Sequence, residues 1–261
     1  MSALGTRDGP ATPQRVPVLT YHSLDESRSV ISTEPVVFRE QMHALADRGF
    51  TGIAAGSLVD AWDGDAALPE RPVVLTFDDG FANVLDYAAP VLADLKFSAT
   101  IYVVSGLCGK TNDWPEQAAD IPRMPLLSWS SLADLSTGGF EMGAHSVTHR
   151  QLTRLARPEV EREVLDSKAM IEQRLGRAVK TFAYPFGLVS PDAYAAARAG
   201  YRAAMGTVLG VARRSDDRHR IARVDMYYFR ERGMFRLFGT AAGRAYLGVR
   251  GLGRAVRARF L

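Results

Sequence analysis

Val73-Val74-Leu75-Thr76-Phe77-Asp78-Asp79-Gly80 (residues 73–80) is a nearly continuous apolar run that ends in two adjacent carboxylates and a glycine. Such a run is the pattern of a strand buried on both faces, as in a parallel sheet covered by helices. Two carboxylates at a strand's end are costly to place unless a cation or hydrogen-bond donors meet them. In parallel α/β folds that edge of the sheet is where active sites lie. An ordinary Asp-Gly turn, common after strands, is the other reading of these residues.

On either side of this run, short β-type segments alternate with helical patterns. Val16–Tyr21 reads as a strand, and Val37–Arg48 as a helix ended by Gly49. Thr51–Ile53, Ala99–Val104, Glu141–Ala144, Thr181–Tyr184 and Tyr201–Met205 read as further strands. Helices are expected at Ser57–Trp62, Asn83–Asp94, Arg157–Leu175 and Pro191–Arg198, with a capped helix start at Ser128. The stretch Ser105–Leu127, with its glycines and prolines, is an irregular loop of the length that lids and binding loops have. The alternation predicts an α/β fold with a parallel sheet and crossover helices.

Composition agrees with one globular unit: 261 residues, 47% hydrophobic and 23% charged. We divide the chain into a flexible N-terminal segment (1–15), a catalytic domain (16–225) and a basic amphipathic tail (226–261). A single cysteine, Cys108, excludes an internal disulfide and a multi-cysteine zinc site. Residues 1–17 lack an apolar signal-peptide core and no run is long enough to span a bilayer, so the expectation is a cytoplasmic protein, or one peripheral at the inner membrane face. The tail carries eight arginines against Glu231 alone, interleaved with aromatic and aliphatic residues. That pattern suits peripheral contact with an anionic membrane, and equally a helix packed on the barrel with its arginines in solvent. No base-reading motif accompanies the charge, so nucleic acid is not an expected partner.

Two more motifs follow predicted strands. His145-Ser146-Val147-Thr148-His149 brings two of the chain's five histidines within four positions. Two imidazoles from one strand end and a carboxylate from another make an N₂O donor set with open positions, which suits a catalytic divalent metal better than a closed structural one. Phe182-Ala183-Tyr184-Pro185-Phe186-Gly187 could wall a sugar site, or simply close a strand with a hydrophobic turn.

In this order the motifs resemble those of the polysaccharide deacetylases, carbohydrate esterase family 4. The resemblance runs from about Val16 to Val224 and includes Val18-Leu19-Thr20-Tyr21-His22. It is greatest to the branch that deacetylates poly-N-acetylglucosamine. It implies a distorted, incomplete (β/α) barrel and a metal-dependent hydrolase that removes N-acetyl groups from amino sugars of a polysaccharide; a lipid-linked sugar at the inner membrane face is the substrate that would suit the basic tail. Residue by residue, it implies Asp78 as general base and Asp79, His145 and His149 as ligands of one divalent metal. Zinc comes first among the metals, with cobalt, nickel and manganese as alternatives. It also implies an oxyanion donor at the Phe186 N–H and substrate contacts at Tyr184, Pro185 and Phe186.

The chain departs from the commoner pattern in three places. No Leu-x-x-His follows Tyr201, and His22 is the candidate general acid in its place. Ala183 stands where many relatives carry an arginine paired with the base, and Arg223 is the candidate replacement. The aspartate-tryptophan motif of many relatives is absent after Gly187, which leaves Trp129 and Trp114 as candidate sugar-stacking residues. His43 and His219 are read as non-catalytic. Two other readings stay open: an inactive carbohydrate-binding homologue, and a hydrolase of a non-carbohydrate amide.

Overall fold

The computed structural model describes residues 13–257, so most of the expected segment 1–15 and the last residues of the expected tail lie outside the described residues. Eight strands form the main sheet: β1 (Val18–Tyr21), β2 (Thr51–Ile53), β3 (Pro72–Phe77), β4 (Ala99–Val103), β5 (Phe140–Ala144), β6 (Thr181–Ala183), β7 (Ala203–Leu209) and β8 (Ile221–Asp225). All their pairings are parallel, and seven strands close a ring in the order β1-β8-β7-β6-β5-β4-β3-β1. The eighth, β2, pairs with β3 over Pro72–Val74, below the stretch where β3 meets β4 at Thr76–Phe77. This division of β3 distorts the barrel, and the ring is incomplete by one strand against an eight-stranded barrel.

Side chains alternate along each strand, and the alternation sorts the core. On β3, Val73, Leu75 and Phe77 pack outward among Phe38, Met42 and Leu92 of the surrounding helices. Val74 lies in a second cluster with Val18, Tyr102, Ala183, Met205 and Ile221. Asp78 continues the Val74–Thr76 face, so the strand's period of two carries its carboxylate to the barrel mouth.

Several elements differ from expectation. The first strand breaks at Pro17, which has no N–H to donate; Arg15–Val16 pairs separately with Ala212–Arg213. The expected helix Asn83–Asp94 is a π-helical turn, Val84–Ala88, followed by Ala89–Asp94, with Pro90 unable to supply its N–H to the ladder. The long helix of residues 157–175 likewise contains a π-helical turn, Arg162–Asp166. Strand β8 was not anticipated.

The expected tail is not a separate unit over its described first half. Met226, Phe229, Phe235, Phe238 and Leu247 belong to the barrel's hydrophobic core. Gln41 Nε2 donates to the Phe229 carbonyl at 2.9 Å, and the Phe235 and Phe238 rings stack at 4.9 Å. Large aromatic surfaces are better buried than left on a solvated tail. The chain then enters the helix Ala241–Arg257. No helix among the described residues is long and apolar enough to cross a membrane.

Candidate active site

The motif residues reach one point through unusual backbone. Asp78 extends β3, and Asp79 turns away from it with φ 70°; His145 follows β5 directly. Seven described non-glycine residues have positive φ, and four of them are Asp79, Ser146 (65°), His149 (57°) and Phe186 (54°). Each such residue costs on the order of 1–2 kcal/mol, so the surrounding structure must hold them in place. The Ser146 hydroxyl accepts the His149 N–H at 2.9 Å, and Ser167 donates to the Ser146 carbonyl at 3.0 Å. Glu163 accepts the N–H groups of Val147 and Thr148 at 3.0 and 2.8 Å. Gly106 is needed on the other side, since a Cβ there would lie 2.7 Å from the Val147 carbonyl oxygen.

Asp79 Oδ1 stands 3.3 Å from His145 Nε2 and 3.2 Å from His149 Nε2, with all three residues buried. Two ligand atoms, each about 2.0–2.1 Å from a tetrahedral ion, would be roughly 3.3 Å apart, so this spacing fits a cation between them. His145 donates from Nδ1 to the Ala183 carbonyl at 2.7 Å, which leaves the Nε2 lone pair free to ligate. Asp79 Oδ1 is buried without a hydrogen-bond donor. A buried carboxylate oxygen in that condition fits a group that accepts a metal.

Beside this cluster, Asp78 is bound by Arg223 from β8 through two parallel hydrogen bonds, Nη1 to Oδ1 at 2.7 Å and Nη2 to Oδ2 at 2.8 Å. Both side chains are buried, and Arg223 Nε also donates to the Gly206 carbonyl. Burial by itself would raise both aspartate pKa values. The Arg223 guanidinium outweighs it at Asp78, and the two facing imidazoles outweigh it at Asp79, so both carboxyls are held below the usual carboxylate range. His22 Nε2 lies 3.9 Å from Asp78 Oδ2 with its side chain 26% exposed.

These groups line a cleft of about 360 Å³. Its walls come from Tyr184, Phe186 and the loop carrying Trp114, Gln117 and Ile121. The His149 ring sits between Trp114 (4.1 Å between centroids) and Phe186 (4.6 Å). Two expected contact residues are elsewhere. Trp129 starts the helix Trp129–Thr137 and packs on the core under the Arg174 guanidinium, away from the cleft lining. Pro185 is buried behind the lining, where its fixed φ starts the turn that presents Phe186. His219 contacts the Tyr201 carbonyl, outside the cleft lining, and His43 is likewise not part of that lining. Glu163 and Ser167 went unanticipated because they are two polar residues of a long helix that no motif marks.

A family model described as polysaccharide deacetylase matches residues 65–204, more than half of the chain. A Bacillus subtilis protein named as a candidate polysaccharide deacetylase, YxkH, is 24% identical over 81% of this chain and 71% of its own length. The poly-β-1,6-N-acetyl-D-glucosamine N-deacetylase of Staphylococcus aureus is 23% identical over 48% of this chain, which spans 43% of that longer protein. In three dimensions the barrel is similar to the Streptococcus pyogenes deacetylase PplD, solved in complex with acetate, with a TM-score of 0.71 and 23% identity over 82% of this chain and 93% of that one. With the matched region containing all three strand-end motifs, and the same barrel found in a solved deacetylase, the chain belongs to the polysaccharide deacetylase family.

Proposed function

We propose that this protein hydrolyses N-acetyl groups on amino sugars of a polysaccharide or a lipid-linked sugar, with Asp79, His145 and His149 holding one divalent metal. The observation that carries this reading is the meeting of Asp79 Oδ1 with two imidazole Nε2 atoms beside an arginine-paired Asp78. Zinc suits a donor set of two imidazoles and a carboxylate, and cobalt, nickel or manganese would be accepted by the same donors. When bound, the metal supplies Lewis acidity, polarising the acetyl carbonyl and making a water acidic enough to attack near neutral pH.

The chain's own groups account for the proton movements. Asp78, kept ionised by Arg223, takes a proton from the attacking water. The Phe186 N–H is assigned to the oxyanion that develops on the acetyl oxygen. His22, 3.9 Å from Asp78 and partly exposed, delivers a proton to the departing amine, which cannot leave as an amide anion. Phe186 and Trp114 flank His149 and offer apolar surface to the sugar ring and its acetyl methyl. The activity named for the Staphylococcus aureus relative favours an N-acetylglucosamine polymer as substrate.

Acetate release from N-acetylglucosamine oligomers tests this reading, with metal-loaded, chelated and His22→Ala protein compared. The expected result is release that requires metal and falls by about 10²–10⁴-fold in His22→Ala. Metal-loaded protein that binds the oligomers without releasing acetate would point to a carbohydrate-binding homologue. Faster release from simple acetamides than from the oligomers would point to a non-carbohydrate amide.

A further inference from the structure

The three most exposed large apolar side chains of the described residues are Leu252 (71%), Val249 (70%) and Val208 (65%). Two belong to the helix Ala241–Arg257, and the third lies at the carboxyl end of β7. Gly251 brings the two elements together, because a Cβ on it would stand 3.8 Å from the Leu209 carbonyl oxygen. The helix buries Gly243 and Leu247 toward the barrel, with Tyr246 half-buried beside them. At 3.6 residues per turn, the exposed Ala241, Ala242, Ala245, Gly248, Val249 and Leu252 fall on the opposite side as one stripe. No charged side chain interrupts that stripe; exposed Arg244 borders it on one side, while Arg250 lies toward the barrel, its guanidinium over the Tyr228 and Tyr246 rings. A helix packed on a barrel should show solvent a polar face; this one shows solvent an apolar face bordered by Arg244.

From these observations we infer that the outward stripe of this helix, with Val208, docks the protein on an anionic lipid surface. An exposed apolar stripe on a basic helix suits a helix lying in a membrane interface, the alkyl groups among acyl chains and guanidiniums such as that of Arg244 among phosphates. The charge favours an anionic occupant: the helix Ala241–Arg257 carries Arg244, Arg250, Arg254 and Arg257 and no acidic residue. The contact lies on the cleft's side of the barrel, since Gly206 of β7 lines the cleft and Val208 follows it two residues on. The inference goes beyond the deacetylase reading and does not depend on it, because lipid binding is measured without substrate.

The experiment is co-sedimentation of the full chain with vesicles of mixed phosphatidylglycerol and phosphatidylcholine, beside vesicles of phosphatidylcholine alone. The expected result is binding to the anionic vesicles that weakens as salt is raised, and a roughly tenfold or greater loss in the double variant Val249→Asp/Leu252→Asp. Both side chains are exposed, so the variant should keep the parent's thermal midpoint and gel-filtration volume. Absence of binding by the parent, equal binding to both vesicle types, or undiminished binding by the variant would each overturn the proposal. So would a parent that elutes as a dimer which the variant abolishes, since a second copy would then cover the stripe.

Discussion

At the carboxyl end of β3, Asp78 and Asp79 are met by a guanidinium and two imidazoles; near the amino end of β5, Glu141 is met by the N–H of Gly56 and the hydroxyl of Thr100. The first pair is held below the ordinary carboxylate range. At Glu141 burial dominates and pushes the carboxyl above it. The difference marks two kinds of acid in one barrel. Glu141, with Thr100 and Ser98, receives the first N–H groups of the helix Ala55–Asp63, whose own N-cap is Ala54 and has no side chain to do so. It is a structural cap borrowed from a neighbouring strand. Asp78 and Asp79 cap nothing of this kind and keep their charge in a buried cleft, the condition a base and a metal ligand need.

The sharpest break of this contrast is Arg223→Met. It leaves Asp78 buried without its cation and should lower the unfolding free energy near pH 7 by about 3–5 kcal/mol in denaturant titrations. Asp78 of the parent has a depressed pKa, so its contribution is present above the unfolded value near 4 and lost as the pH falls below it. The gap between parent and variant should therefore narrow toward acid. Glu163→Ala removes the acceptor that braces the loop between the two histidines and should weaken metal affinity by about 10–100-fold in calorimetry, with Asp78 untouched. Glu141→Gln is the smallest change. Its parent pKa is raised, so Glu141 contributes stability below the unfolded value that is lost as the pH rises. The amide keeps an acceptor for Gly56 and should raise stability at pH 7 in denaturant titrations, because it removes the buried charge. That gain should vanish below about pH 4. A gain that persists there would mean that Glu141 is limited by packing, not by charge.

The barrel was legible because β3 and its neighbours are short apolar runs bounded by turns, and a period of two then puts Asp78 on the inner face of the ring. Strand β8 escaped notice because Ile221-Ala222-Arg223-Val224-Asp225 is short and sits in an arginine-rich stretch. Its central arginine points inward, where Asp78 and the Gly206 carbonyl meet it. Trp114 and Trp129 could not be told apart from their neighbours in sequence. Which one reaches the cleft depends on the loop's own bonds, such as Asn112 accepting the Met124 N–H and donating to the Pro122 carbonyl. The described start of the expected tail misled for a related reason: its aromatic residues lie on short 3₁₀ turns, Met226–Phe229 and Met234–Leu237, whose packing against the barrel leaves no regular period to read.

The division of labour between the adjacent aspartates is tested most directly by measuring metal content and acetate release together in Asp78→Asn and Asp79→Asn. The account predicts that Asp78→Asn keeps its metal and loses release by about 10²–10⁴-fold, while Asp79→Asn loses both. An Asp78→Asn protein that still releases acetate at the parent's rate, or an Asp79→Asn protein that binds metal as tightly as the parent, would contradict it.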